Sequence, residues 1–90
     1  MYDYKDHENV VNRLFKNNNI NNLKMLRCKD TIGIIFKIVD KCYNDEVLCW
    51  GTNPAMALGE LIFDYRLTGS YADAINRVNN QYHEYLYQNN

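Results

Sequence analysis

The sequence predicts one α+β domain over residues 1–90, ordered α-β-β-β-α-α, with a three-stranded antiparallel sheet packed against helices. Three observations predict it. The run Ile32-Gly33-Ile34-Ile35-Phe36-Lys37-Ile38-Val39 is rich in β-branched residues and favours a strand at the middle of a sheet. A turn, Tyr43-Asn44-Asp45, follows it and leads into a returning strand. Apolar residues at helical spacing then stand on both sides of the strand region. A chain of 90 residues buries only about two thirds of its unfolded surface, which leaves room for one core rather than two domains and little volume for a deep pocket.

The first helix runs from about residue 6 to 17, with Asp6 as its N-cap and Val10, Val11, Leu14 and Phe15 at helical spacing. Asn17-Asn18-Asn19-Ile20-Asn21-Asn22 ends it, because asparagine competes for backbone hydrogen bonds and tolerates left-handed dihedrals. The opening residues Asp3-Tyr4-Lys5-Asp6-His7 resemble part of a common epitope tag, but they flow into the amphipathic pattern and read as native.

Leu23 to Lys29 alternates as a first strand, and Thr31 to Val39 is the second. Ile32, Ile34, Phe36 and Ile38 share one of its faces and Ile35 and Val39 the other, so both faces call for cover. Glu46-Val47-Leu48-Cys49-Trp50 is the returning strand. Gly51-Thr52-Asn53-Pro54 opens a second helix, with Asn53 as cap and proline where no amide donor is needed. Leu58, Leu61, Ile62 and Tyr65 form its main stripe, and Met56, Phe63 and Leu67 a second one. Gly69 is suited to end that helix, and Ser70-x-x-Asp73 resembles a capping box opening a third. Tyr71, Ile75, Val78, Tyr82, Tyr85 and Leu86 form the stripe of that last helix.

A net charge of −1 argues against a dedicated duplex-DNA binder or a polybasic membrane ligand. No apolar run approaches the roughly 20 residues needed to span a bilayer. Cys28, Cys42 and Cys49 are odd in number and no charged-then-apolar leader precedes them, so free thiols and a reducing cytoplasm are expected. The 14 asparagines and 8 tyrosines reflect the coding bias of an AT-rich genome.

No arrangement of residues points to catalysis, a metal or a cofactor. The cysteines form no C-x-x-C pair, His7 and His83 lie at opposite ends of the chain as solvated helix-face residues, and Glu60 and Asp64 read as a wet helix face. No phosphate-cradling glycine loop is present. The expectation is a binding protein rather than an enzyme.

Two surfaces are candidates. Residues 16–41 carry six basic side chains against Asp30 and Asp40. Lys24, Arg27, Lys29, Lys37 and Lys41 therefore make a basic sheet region fit for the phosphates of a nucleic acid. An α-β-β-β-α core resembles the double-stranded-RNA-binding domain in topology. The lysine cluster which that family carries at the start of its last helix is replaced here by Asn53-Pro54-Ala55-Met56-Ala57-Leu58-Gly59-Glu60. The second surface is the outer side of the two C-terminal helices, with Glu60, Asp64, Asp73, His83 and Tyr87 as contacts for a protein partner. Tyr2, Tyr4, Tyr43 and Tyr87 have no assigned place in the core, which favours that reading.

Trp50-Gly51-Thr52-Asn53-Pro54-Ala55-Met56-Ala57-Leu58 resembles the strand-to-helix junction of small phage proteins with an α/β/α sandwich. The full order α-β-β-β-α-α is similar to that of a small type II anti-CRISPR inhibitor that occupies the DNA-recognition site of an RNA-guided nuclease. The DNA-like acidity of that inhibitor is reduced here to Glu60, Asp64, Asp73 and Glu84, so the resemblance implies stoichiometric binding rather than DNA mimicry. The partner it implies is a host protein such as a CRISPR effector, met by a phage-encoded inhibitor in the bacterial cytoplasm. No membrane is involved, and the protein is a monomer or a homodimer joined through the open sheet face.

Overall fold

The computed structural model describes residues 4–64 and 67–88. The order is helix α1 (His7–Asn17), strands β1 (Leu23–Asp30) and β2 (Gly33–Asp40), a 3-10 turn (Lys41–Tyr43), strand β3 (Glu46–Gly51), and helices α2 (Pro54–Ile62) and α3 (Gly69–Gln88). The expected α+β class, element order and antiparallel sheet β1-β2-β3 are all present.

Each boundary has a local cause. At the end of α1, Asn19 is left-handed, with φ 61°. The Ile20 amide donates to the Phe15 carbonyl and the Asn19 amide to that of Lys16, a Schellman close in which asparagine stands where glycine is usual. Both Phe15 and Ile20 are buried, which adds the apolar contact of that motif. Asp30 pairs with Gly33 across a two-residue hairpin loop, and Gly33 takes φ 117°, a region closed to other side chains without strain. The Asp40 carboxylate accepts from the Cys42 amide to open the 3-10 turn, and Asn44 and Asp45 then reverse the chain with two left-handed residues. Asn53 caps α2 as expected, its side-chain oxygen accepting from the Met56 amide at 2.8 Å.

All three helices cover one face of the sheet. The core joins Val11 and Phe15 of α1, Leu58 and Leu61 of α2, and Ile75, Val78 and Tyr82 of α3 to Leu23, Met25, Phe36 and Ile38 of the sheet. Tyr71, Tyr85 and Leu86 pack against that cluster, so the last helical stripe is seated as its spacing required.

Several local expectations are corrected. Asp6 precedes α1 in a left-handed conformation and caps with its carbonyl, which accepts from the Asn9 and Val10 amides, not with its side chain. His7 is buried rather than solvated, and Tyr4 packs on the core, its ring 6.1 Å from that of Phe36 and 5.4 Å from that of His7. α2 ends at Ile62, so Gly69 begins α3 instead of closing α2, and Ser70 lies inside the first turn of α3. Met56 and Phe63 are exposed, so the second stripe of α2 is not buried. The expectations for Tyr2 and Tyr65 fall outside the described residues.

Candidate binding face of the sheet

Antiparallel pairing puts register partners on the same side, so the helix-free face can be read from the pairs Lys24↔Val39, Leu26↔Lys37 and Cys28↔Ile35 in β1 and β2. Across β2 and β3 the pairs Lys37↔Trp50 and Val39↔Val47 complete it. Val47 and Trp50 are three residues apart and would point to opposite faces of a regular strand. A β-bulge reconciles them: Ile38 pairs with Cys49 and Val39 with Val47, leaving Leu48 as the extra residue. Leu48 packs against the core, and both Val47 and Trp50 are turned outward.

The resulting face is apolar at its centre and positive. Ile35 and Val39 are 3% and 1% exposed yet stand outside the core cluster. Val47 and Trp50 remain 46% and 50% exposed. The register places three charged side chains on this face, Lys24 and Lys37 with Asp30 at the β1–β2 turn, where the Asp30 carboxylate accepts from the Thr31 amide. Five of the seven large apolar residues exposed among the described residues belong to this face or its border. Besides Val47 and Trp50 these are Ile32 in the β1–β2 loop, Tyr43 in the 3-10 turn, and Met56, which shares a concavity with Leu48, Cys49, Trp50 and Glu60.

The edge of the sheet beside this face is closed by α1. The Asn12 side chain accepts from the Met25 amide at 2.7 Å and donates to the Met25 carbonyl at 3.0 Å. One turn earlier, the Glu8 carboxylate accepts from the Arg27 amide at 3.0 Å. Four helical residues rise about 6 Å and two strand residues about 6.7 Å, so a helix lying antiparallel to β1 can meet two successive outward-facing residues of the strand. These contacts leave β1 unable to accept another strand at that point.

The residues singled out from sequence are distributed as follows. Lys24 and Lys37 lie together on the open face, while Arg27 and Lys29 project to the helix side of β1 and Lys41 begins the 3-10 turn. Asp73, His83 and Tyr87 are exposed along the outer side of α3, with Tyr87 86% exposed. Glu60 is apart from them, beside Trp50 and Met56, and Asp64 lies beyond the end of α2. Sequence reasoning missed Val47, Trp50 and Met56 as surface residues. The signal was the spacing of Val47 and Trp50, which no regular strand could place on one buried face.

Cys49 donates its thiol to the Ala57 carbonyl, and burial, with Glu60 and Asp64 nearby, pushes that thiol up to about 11. A thiol so placed is protonated at neutral pH and a poor nucleophile. All three cysteines are free, and Cys42 is exposed rather than buried in a strand. No group of three or more metal-ligating side chains occurs among the described residues. Among them, too, no helix is long and apolar enough to cross a membrane.

The comparisons are empty. No family model, curated protein or solved structure matches this chain.

Proposed function

We propose that this protein is a stoichiometric binder of another protein and that its contact surface is the open face of the sheet. One observation carries the reading: Val47 and Trp50 stand half exposed on a sheet face that no helix among the described residues covers, and exposed Met56 shares a concavity with Trp50. Exposed apolar surface gathered at one place marks a contact site, and a half-exposed tryptophan is a favoured anchor. Three strands about 4.8 Å apart give roughly 300 Å² in plan, and the bordering residues extend that toward the roughly 800 Å² per partner of an ordinary interface. Lys24 and Lys37 select a partner whose apolar patch is edged by carboxylates. In its most specific form the reading is a phage-encoded inhibitor that covers a functional surface of a bacterial defence protein, such as a CRISPR effector, in the host cytoplasm. The small single domain and its α-β-β-β-α-α order support that form.

The test is capture from nuclease-treated bacterial lysate by the immobilised protein, by Val47→Glu with Trp50→Ala, and by a triple alanine variant at Asp73, His83 and Tyr87. A partner held by the wild type and the α3 variant but lost with the sheet variant is the expected result. Loss with the α3 variant and retention with the sheet variant would move the site to the C-terminal helix.

A second reading has its own observation. Lys37 is the register partner of Trp50, with Lys24 on the same face, so an aromatic ring and two cations are placed where a single-stranded nucleic acid could stack a base and seat phosphates. It predicts affinity that falls steeply with salt, and a flat salt response would end it.

A further inference from the structure

We infer that the concavity between α1, β1 and the 3-10 turn binds a small multiply phosphorylated molecule. Lys16 from the last turn of α1, Lys24 from β1 and Lys41 from the start of the 3-10 turn all line one space of about 450 Å³. They are distant in sequence and meet only because the chain folds. The Schellman close turns the chain after α1, and the Lys41 amide donates to the Asn22 carbonyl, which fixes the turn against the start of β1.

No carboxylate among the described residues lines the space. The nearest along the chain, Asp40, is the register partner of Leu23, and its oxygen is held by the Cys42 amide. None of the three lysines has an ion-pair or side-chain hydrogen-bond partner among the described residues. Gathering three like charges costs free energy in the unliganded protein, and an anion carrying two or more charges removes that cost. Phosphate groups match lysine as compact point charges with several acceptor oxygens.

The remaining lining suits an organic portion. Ile20 and Leu23 supply an apolar floor, and Asn21 an exposed side-chain amide. Asn12 also lines the space, but its amide is already committed to Met25. The volume falls within the range of about 300–1,000 Å³ usual for small-ligand sites.

The experiment is calorimetric titration of the whole protein with pyrophosphate, ADP, adenosine and sulfate at matched ionic strength, using the wild type, Lys16→Ala, Lys24→Ala, Lys41→Ala and the triple variant. Pyrophosphate and ADP are expected to bind, sulfate, a single dianionic group, more weakly, and adenosine not at all. Each single substitution weakens binding about tenfold, the effect of losing one charge-assisted contact. Equal affinity for pyrophosphate and ADP assigns an inorganic polyphosphate, and tighter ADP binding assigns a nucleotide. Because the three lysines are exposed and mutually repulsive, the triple variant without ligand melts at or above the wild-type temperature, so lost binding cannot be ascribed to unfolding. Absence of heat with both phosphates, equal heat in the triple variant, or equal binding of sulfate would overturn the inference. Lys24 belongs to both proposed surfaces, so the two proposals are separated by Lys16→Ala and Lys41→Ala, which lie off the sheet face and weaken phosphate binding alone, and by Trp50→Ala, which alters only that face and leaves phosphate binding unchanged.

Discussion

Asn12→Ala tests whether α1 closes the β1 edge through side-chain pairing. The Asn12 amide makes two hydrogen bonds, at 2.7 and 3.0 Å, to the amide and carbonyl of one residue, Met25, which is 0% exposed. Alanine leaves both groups without partners beneath a packed helix. An unsatisfied buried polar group costs roughly 1–3 kcal/mol, and partial access of water from the edge puts the pair at about 2–3 kcal/mol. Unfolding entropy near 2.1 cal/mol/K per residue means that a 90-residue chain loses roughly 5 °C in Tm per kcal/mol. The expected result is a fall of roughly 10–15 °C, read by circular dichroism and by urea denaturation. Asn12→Asp separates pairing from packing. It keeps an oxygen for the Met25 amide but turns a second acceptor toward the Met25 carbonyl, so near neutral pH it is at least as damaging as alanine. At acid pH the protonated carboxyl regains a donor, and its deficit relative to the wild type at the same pH shrinks. A loss below about 0.5 kcal/mol for Asn12→Ala, the range of ordinary surface substitutions, would refute the edge-closure argument.

Three further outcomes follow from other contacts. His7 is buried with its Nδ1 2.9 Å from the Tyr82 hydroxyl, and burial lowers its pKa from 6.5 against the opposing pull of the Asp6 carboxylate. The unfolded chain therefore takes up the proton first, so stability measured by denaturant titration declines as pH falls through 6.5 and levels off below the folded pKa, a decline that His7→Phe removes. At Gly51 an added Cβ would lie 2.6 Å from the Ala57 amide nitrogen and 2.8 Å from the Met56 Cβ, so Gly51→Ala displaces the start of α2 and lowers stability in urea by about 2–3 kcal/mol. At neutral pH a disulfide reagent labels exposed Cys42 rapidly and half-buried Cys49, with its thiol raised to about 11, more slowly, and equal labelling rates would contradict that raised thiol.

Elements governed by local periodicity were legible in the sequence. The β-branched run, the Asn53-Pro54 start of α2 and the stripe of α3 need only short-range rules, and each falls where its residues place it. What was not legible depended on residues distant in the chain. His7 reads as polar until Tyr82, 75 residues away, supplies its hydrogen bond. The asparagine run reads as compositional bias, yet Asn18 bonds Gln81 and accepts from Arg77, tying the end of α1 to α3. The candidate surface escaped for the same reason. Its lysines were visible as a local excess of charge, but their division between the two sides of β1 follows from which face the helices cover, and no residue in β1 alone decides that.

The contrast between the edge and the face of this sheet is the strongest argument for where the protein acts. An uncovered edge and an uncovered apolar face are both routes to unwanted association, and a chain under no functional constraint has reason to block both. Here the β1 edge is blocked by side chains matched to its backbone spacing, Asn12 to Met25 and Glu8 to Arg27. The face is treated in the opposite way. One bulge residue, Leu48, turns inward and brings both Val47 and Trp50 onto it, although a regular strand would have sent one of them to the core side. Lys24 and Lys37, against the single carboxylate of Asp30 at the turn, then give the face a net positive charge that disfavours stacking against its own copy. Replacing both lysines with glutamine therefore has two expected consequences, distinguishable by sedimentation and by capture. The protein gains a tendency to self-associate, and it loses discrimination for partners bearing carboxylates. A variant that stays monomeric and captures the same partners with unchanged affinity would show that these charges neither guard the face nor select what binds it.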